Sequence, residues 1–190
     1  MAGRPRSIDR DKVLDAAEAL VVTTGAAALS FDAVAKAAGI TKGGVQYAFG
    51  TRDNLIKAMI ARWGQAFDAE VARQTGPDPS PHALIRGHLA AARDADDAEH
   101  SRSAVMMTAL LQHPDQLSAT RAWYNSRLAG LDLTQPGDRQ VALAFLAGEG
   151  AFLLKAFGLI DLDQAQWTAL FQDMMSATGS APPDAAPRDD

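Results

Sequence analysis

Along nearly the whole chain apolar residues recur at intervals of three and four, and no run of alternating β-branched residues competes with that pattern. Such spacing gathers them on one side of an α-helix, whereas a half-buried strand needs a period of two. With alanine abundant as well, the periodicity confines the chain to an all-α fold. Val13, Ala16, Ala17, Leu20 and Val21 set a first helix that Gly25 closes. Ser30 is placed to cap a second, with Asp32 in its first turn and Gly39 as its stop. A third, short helix begins at Thr41 and ends near Phe49. Thr51 caps a long fourth helix, whose stripe runs through Leu55, Ile56, Met59, Ile60, Trp63, Phe67 and Val71. The segment "TGPDPSP", residues 75–81, is the clearest break. Beyond it five helices are expected at about 82–96, 102–112, 115–130, 138–159 and 163–177, separated by "RDADDAEHS", "HPD", "LTQPGD" and "GLIDLD". The proline-rich tail 179–190 is expected to be disordered.

These breaks divide the chain into a head at 1–52, a connecting helix at about 52–75 and a second domain at 80–178. Its 190 residues suffice for a real core, and the lack of cysteine excludes disulfides, thiolate zinc sites and cysteine nucleophiles. The basic, polar start "MAGRPRSIDRDK" has no apolar leader, and no 18 uncharged apolar residues run together, so a cytoplasmic protein without membrane contact is expected. The net charge of -5 argues against a polyanionic partner until it is divided along the chain. Residues 1–62 hold nine Lys and Arg against six Asp and Glu, whereas the remainder holds nine against seventeen. That asymmetry suits an N-terminal end that meets a polyanion.

The segment "GITKGGVQYAFGTRDNL", residues 39–55, sits between good helices yet contains a glycine pair. Each helical glycine costs roughly 0.5–1 kcal/mol relative to alanine, so a purpose is required. Gly39 and Gly44 have the outer spacing of a phosphate-binding loop, but Val45 and Gln46 stand where that loop needs Lys and Ser or Thr, and a helix precedes it. Two helices at 31–38 and 42–48 joined by a glycine turn match a helix-turn-helix, whose second helix enters the DNA major groove. Ala35 allows a close crossing, Gly39 the sharp turn, and Ile40 and Val45 a plug between the helices. Gly43 and Gly44 then clear the approach to DNA, leaving Thr41, Lys42, Gln46 and Tyr47 to reach bases or phosphates. Thr51 and Arg52 open the next helix, whose free N–H groups form a phosphate site, and Ser30 is placed among the DNA contacts too. Arg4 and Arg6 in "GRPRS" could act as a basic minor-groove arm or be a plain polar terminus. An ordinary helical hairpin is the bland alternative for the whole unit.

The run "GRPRS", the helix "VLDAAEALVVTTG" and "LSFDAVAKAAGITKGGVQYAFGTRDNLIKAMI" together resemble, over about residues 3–62, the DNA-binding domain of the TetR family of bacterial transcriptional repressors. Two departures stand out: Ala48 lies where the family often has histidine, and Gly50-Thr51-Arg52 replaces the usual proline or glycine, serine, lysine. The resemblance implies about nine helices, a homodimer, a palindromic double-stranded DNA operator, and a divergent C-terminal domain that binds a ligand and dimerises. Weaker likeness to the family's regulator domains lies in "LLQHPD", "RAWYNSRLAGLD" and "RQVALAFLAGEGAFLLKAFGLIDLD".

Independently, the helix at 138–159 is apolar over most of its circumference, more than one buried side requires. Ala144, Gly148 and Ala151, with Trp167, Leu170, Phe171 and Met174 on the last helix, are expected to build a two-chain, four-helix interface. A core helix within one subunit is the competing reading. Trp63, Phe67, Met106, Met107, Leu110, Trp123 and Phe152 are candidates to line a cavity for a small apolar or amphipathic effector, although such residues also suit plain core. Glu149 in its apolar helix, with His88 or His113, could orient that ligand or be satisfied by a neighbour. The four histidines lack metal-ligand spacing, and no nucleophile–base set, paired carboxylate or cofactor fingerprint appears. The expected function is therefore a DNA-binding regulator, a repressor released by ligand, with neither catalysis nor a cofactor. The alternative is a helical protein that binds or sequesters a small molecule.

Overall fold

Most helices in this chain begin where a short polar side chain can accept a hydrogen bond from the first turn. The computed structural model describes residues 8–25, 28–112 and 114–179, without the side chains of 109–112 and 114–116. Nine helices and no strand occupy the described residues. They are α1 (Arg10–Thr24), α2 (Phe31–Ala38), α3 (Lys42–Phe49), α4 (Arg52–Thr75), α5 (Pro81–Asp94), α6 (Asp97–Gln112), α7 (Pro114–Leu128), α8 (Pro136–Ala156) and α9 (Gln164–Ala177). Asp9, Ser30, Thr41, Thr51, Ser80 and Asp163 each accept from the backbone N–H three residues on, a cap worth about 1 kcal/mol.

Helices α1 to α3 and the first half of α4 enclose one core, in which Val13, Ala17, Val34, Val45, Leu55 and Met59 are almost fully buried. A second core lies beyond it, where Ile85, Leu89, Val141, Phe145, Trp167 and Phe171 join α5, α8 and α9. Helix α5 is buried nearly all round because alanines at 83, 90, 91 and 92 let its neighbours approach. No helix among the described residues is long and apolar enough to cross a membrane.

The boundaries differ from the expectation at two places. The acidic joint "RDADDAEHS" is mostly helix: Asp96 Oδ1 accepts from the Glu99 N–H at 2.8 Å and Glu99 Oε2 from the Asp96 N–H at 3.1 Å. This reciprocal capping box starts α6 at Asp97 rather than near 102. At the other end α8 stops at Ala156, three residues early, where Gly158 takes φ +65° and the Leu159 N–H bonds back to the Leu154 carbonyl.

The interface residues need a larger correction. Ala144, Gly148, Ala151, Trp167 and Phe171 are buried within the single chain and pack in its core, whereas Leu170 and Met174 of that set retain larger exposure. The reason is α5, which occupies that face: a Cβ on Gly148 would run into the Leu89 side chain.

The tightest helix contact is between α4 and α5. A Cβ on Gly87 would overlap the Thr75 hydroxyl and lie 2.8 Å from the Thr75 backbone nitrogen. Backbone cannot yield as a flexible side chain does, so Gly87→Ala is expected to destabilise by about 1–3 kcal/mol. A lowered urea midpoint with unchanged slope checks this.

Candidate functional site

Helix α3 turns Val45 and Phe49 inward, at 0% and 4% exposure, and everything polar outward. Its entry is a sharp turn: Gly39 adopts φ +66°, ψ 32°, and the Ile40 N–H reaches back to the Ala35 carbonyl at 3.0 Å. Gln46 and Tyr47 project into solvent, Tyr47 with 87% of its surface open. A Cβ on Gly43 would meet nothing nearer than the Thr41 hydroxyl at 3.9 Å, so nothing inside the chain demands that glycine. Gly44, by contrast, has neighbours inside the head. Its missing Cβ accommodates Ile8 at 3.3 Å, the Thr41 hydroxyl at 3.4 Å and Ile40 at 3.5 Å, so it serves packing within the head.

Several expected DNA contacts already have intramolecular partners. Thr41, Thr51 and Ser30 use their hydroxyls as helix caps. Lys42 Nζ lies 2.8 Å from Asp32 Oδ2, an exposed pair worth less than about 1 kcal/mol and readily exchanged for another anion. Arg52 Nε donates to the Leu29 carbonyl at 2.7 Å, fastening the start of α4 to the loop before α2. Arg4 and Arg6 lie outside the described residues. One basic residue escaped the sequence reading: Arg10 donates to the Ala48 carbonyl and stacks on Phe49, its guanidinium 4.5 Å from the ring centre. It thereby ties α1 to the negative end of α3, across a separation in sequence that no local pattern reports.

Below this head lies a cavity of about 530 Å³, walled by α4, α6, α7 and α8 and reached by α1 through Glu18. Trp63, Phe67, Met106, Met107, Trp123 and Phe152 all line it; the Leu110 side chain is outside the described residues. Two further features concern its charges: the first was not foreseen, whereas Glu149 and His88 of the second stand out in the sequence. At the head side, Arg62 from α4 binds α1 through Asp15 at 2.8 Å and Glu18 at 2.6 Å, and both Arg62 and Glu18 line the cavity. On the α8 wall, Glu149 Oε1 lies 2.6 Å from Nε2 of the buried His88, and Oε2 accepts from the Tyr124 hydroxyl at 2.7 Å. Burial, then the Glu149 charge, push the Tyr124 phenol far above its ordinary value, so it keeps its proton and donates. His113 lies outside the described residues, and no cluster of three or more potential metal ligands occurs among those described.

Comparison with known proteins follows the same division. A family model described as "Bacterial regulatory proteins, tetR family" matches residues 13–59. Another, described as "Tetracyclin repressor-like, C-terminal domain", matches residues 82–179. Among solved structures, the chain resembles a transcriptional regulator from Rhodococcus sp. Rha1 at 16% identity and TM-score 0.66, covering 89% of this chain and 95% of that one. It resembles the fatty acid degradation regulator FadR from Bacillus halodurans at 14% identity and TM-score 0.64, covering 94% and 96%. The multidrug binding protein EbrR, solved with imidazole, gives 20% and 0.63, covering 87% and 88%. Identities this low speak to the fold alone. No curated protein matches the chain.

The two glycines of α3 can be separated by experiment. Gly43→Ala adds a better helix former in open space and is expected to stabilise by roughly 0.5–1 kcal/mol. Gly44→Ala would press on Ile8, which must give by a few tenths of an ångström, so its melting temperature should fall below that of Gly43→Ala. Equal melting temperatures would show that Gly44 is not a packing position.

Proposed function

This chain belongs to the TetR family and is a DNA-binding transcriptional regulator with a ligand-binding C-terminal domain, and we propose that it is a cytoplasmic repressor that leaves a palindromic operator when ligand fills the cavity. One observation carries the proposal: a single cavity is bounded both by the ligand domain and, through Glu18 and its partner Arg62, by the head. A molecule entering there presses directly on the link that sets the attitude of α1, and α1 holds α3 through Arg10.

On DNA, Gln46 and Tyr47 are the base-reading residues, with Gly43 letting the helix axis approach. Lys42 exchanges Asp32 for a phosphate, and the N-terminal turns of α3 and α4, with Thr41 and Thr51, bind backbone phosphates. Ser30 flanks that surface, and Arg4 and Arg6, outside the described residues, are the basic arm that the sequence suggests for the minor groove. Arg52, exposed at the start of α4, and Gly44 belong to the same surface, Arg52 while also holding the Leu29 carbonyl. Arg10 sets a cation next to Ala48, where the family often has histidine.

Family members act as dimers, and α8 supports a two-chain arrangement here on a face other than the one first expected. Leu143, Leu146, Ala147, Gly150, Leu154 and Phe157 are partly or largely exposed and, at 100° per residue, fall on one side of the helix. They form the proposed contact with a second copy, beside Leu170 of α9. The excess apolar character of α8 thus has two causes, one inside the chain and one outside.

Two recognition helices in successive major grooves would set half-sites about 34–36 Å apart, or a multiple of that. Selection of bound DNA from a random pool should return a palindrome, with affinity falling steeply as salt rises. Gln46→Ala is expected to relax base preference at one position per half-site and cost about 1–3 kcal/mol on the preferred sequence. Unchanged preference would remove Gln46 from the reading set. Replacing Leu146 by Glu should convert a species of about twice 20.1 kDa into the 20.1 kDa chain in sedimentation. A variant that stays dimeric would place the interface elsewhere.

A further inference from the structure

A carboxylate in the middle of an apolar helix is costly to bury unless its oxygens are satisfied. Glu149 is such a residue: its side chain is 17% exposed, it is flanked by Gly148 and Gly150, and it lines the cavity. Both oxygens are held, by Tyr124 from α7 and His88 from α5, while the His88 ring is itself wedged against Phe67 and Phe145 at 5.0 and 4.9 Å. The chain therefore uses two side chains from two other helices to keep one acid at the cavity wall.

The other charges around the cavity point the same way. Arg62 is committed to Asp15 and Glu18, and Arg102 has Glu99 at 3.8 Å, so neither guanidinium lacks an acidic neighbour. Arg127, stacked on Trp123, is paired with Asp68. Glu18, Glu99 and Glu149 on the wall outnumber its two arginines, both of which are paired with acids, so an anionic guest finds no surplus of positive charge there. The remaining wall is aromatic and thioether: Trp63, Phe67, Phe152, Met106 and Met107. Ring faces carry negative quadrupole potential and attract cations most strongly where water is excluded.

We propose that the cavity binds an amphipathic organic cation, its positive centre held by the Glu149 carboxylate and the rings of Trp63, Phe67 and Phe152, its apolar body against the methionines. About 530 Å³ admits a drug-sized molecule. The proposal rests on the reading of the cavity as the effector site and adds the charge of the effector.

The test is calorimetric titration of the full-length protein with three probes sharing a biphenyl-butyl body. One ends in trimethylammonium, one in its uncharged tert-butyl isostere, and one in carboxylate. The cation is expected to bind at least tenfold more tightly than the isostere, and the carboxylate more weakly than either. In Glu149→Gln the preference for cation over isostere should fall below threefold, whereas Tyr124→Phe, which keeps the carboxylate, should retain most of it. Isostere or carboxylate binding as tightly as the cation, failure of all three to bind, or an unchanged preference in Glu149→Gln would overturn the proposal. DNA binding measured on the same preparations keeps the two readings apart. A selected operator bound normally by wild type and Glu149→Gln leaves the regulator standing whatever the probes do, and failure to select any DNA sinks the regulator alone.

Discussion

Helix α4 belongs to both halves of the molecule, and its seating against α5 decides where everything else lies. At one end Leu55, Ile56 and Met59 enter the core of the head. At the other, Thr75 meets the bare backbone of Gly87 so closely that the two helix axes have little freedom to slide. Between these anchored ends α4 presents Trp63 and Phe67 to the cavity and Arg62 to α1. A helix of 24 residues, about 36 Å long, cannot bend sharply without a proline or bulge, so displacement at its middle must move its ends.

The head was the more legible half because its determinants are local. A cap three residues ahead of a bonded N–H, a glycine at a positive φ and an inward valine can all be read from neighbours in sequence. What escaped was the division of labour between residues that look alike. Gly43 and Gly44 are adjacent and chemically identical, yet one faces open space and the other Ile8 and Ile40. Arg52 reads as a phosphate ligand, and its second task, a hydrogen bond from Nε to the Leu29 carbonyl 23 residues away, leaves no local trace.

In the second half, apolar content was readable and direction was not. The cavity candidates assembled because their stripes fall on helices that face each other, but periodicity alone cannot say which side of an all-apolar helix another helix will cover. Helix α5 made that choice for α8 by covering Ala144, Gly148 and Ala151. The acidic joint before α6 misled for a related reason: aspartate and glutamate at that spacing describe a loop and a capping box equally well until the reciprocal bonds are seen. Glu149 stood out as an anomaly in its helix, while its partners His88 and Tyr124 lie 61 and 25 residues away.

The two faces of α8 carry a consequence for a dimer. Glu149 and Phe152 line the cavity, while Leu146, Gly150 and Leu154, one to three positions away, lie on the exposed stripe. The helix is a stiff rod of 21 residues, so a guest that shifts its inner side shifts its outer side with it. In the proposed dimer that outer side would meet its symmetry mate, and the first molecule bound in one subunit would alter the shape offered to the second in the other. Occupancy of the pair would then depend on effector concentration more steeply, or more shallowly, than a single-site isotherm allows.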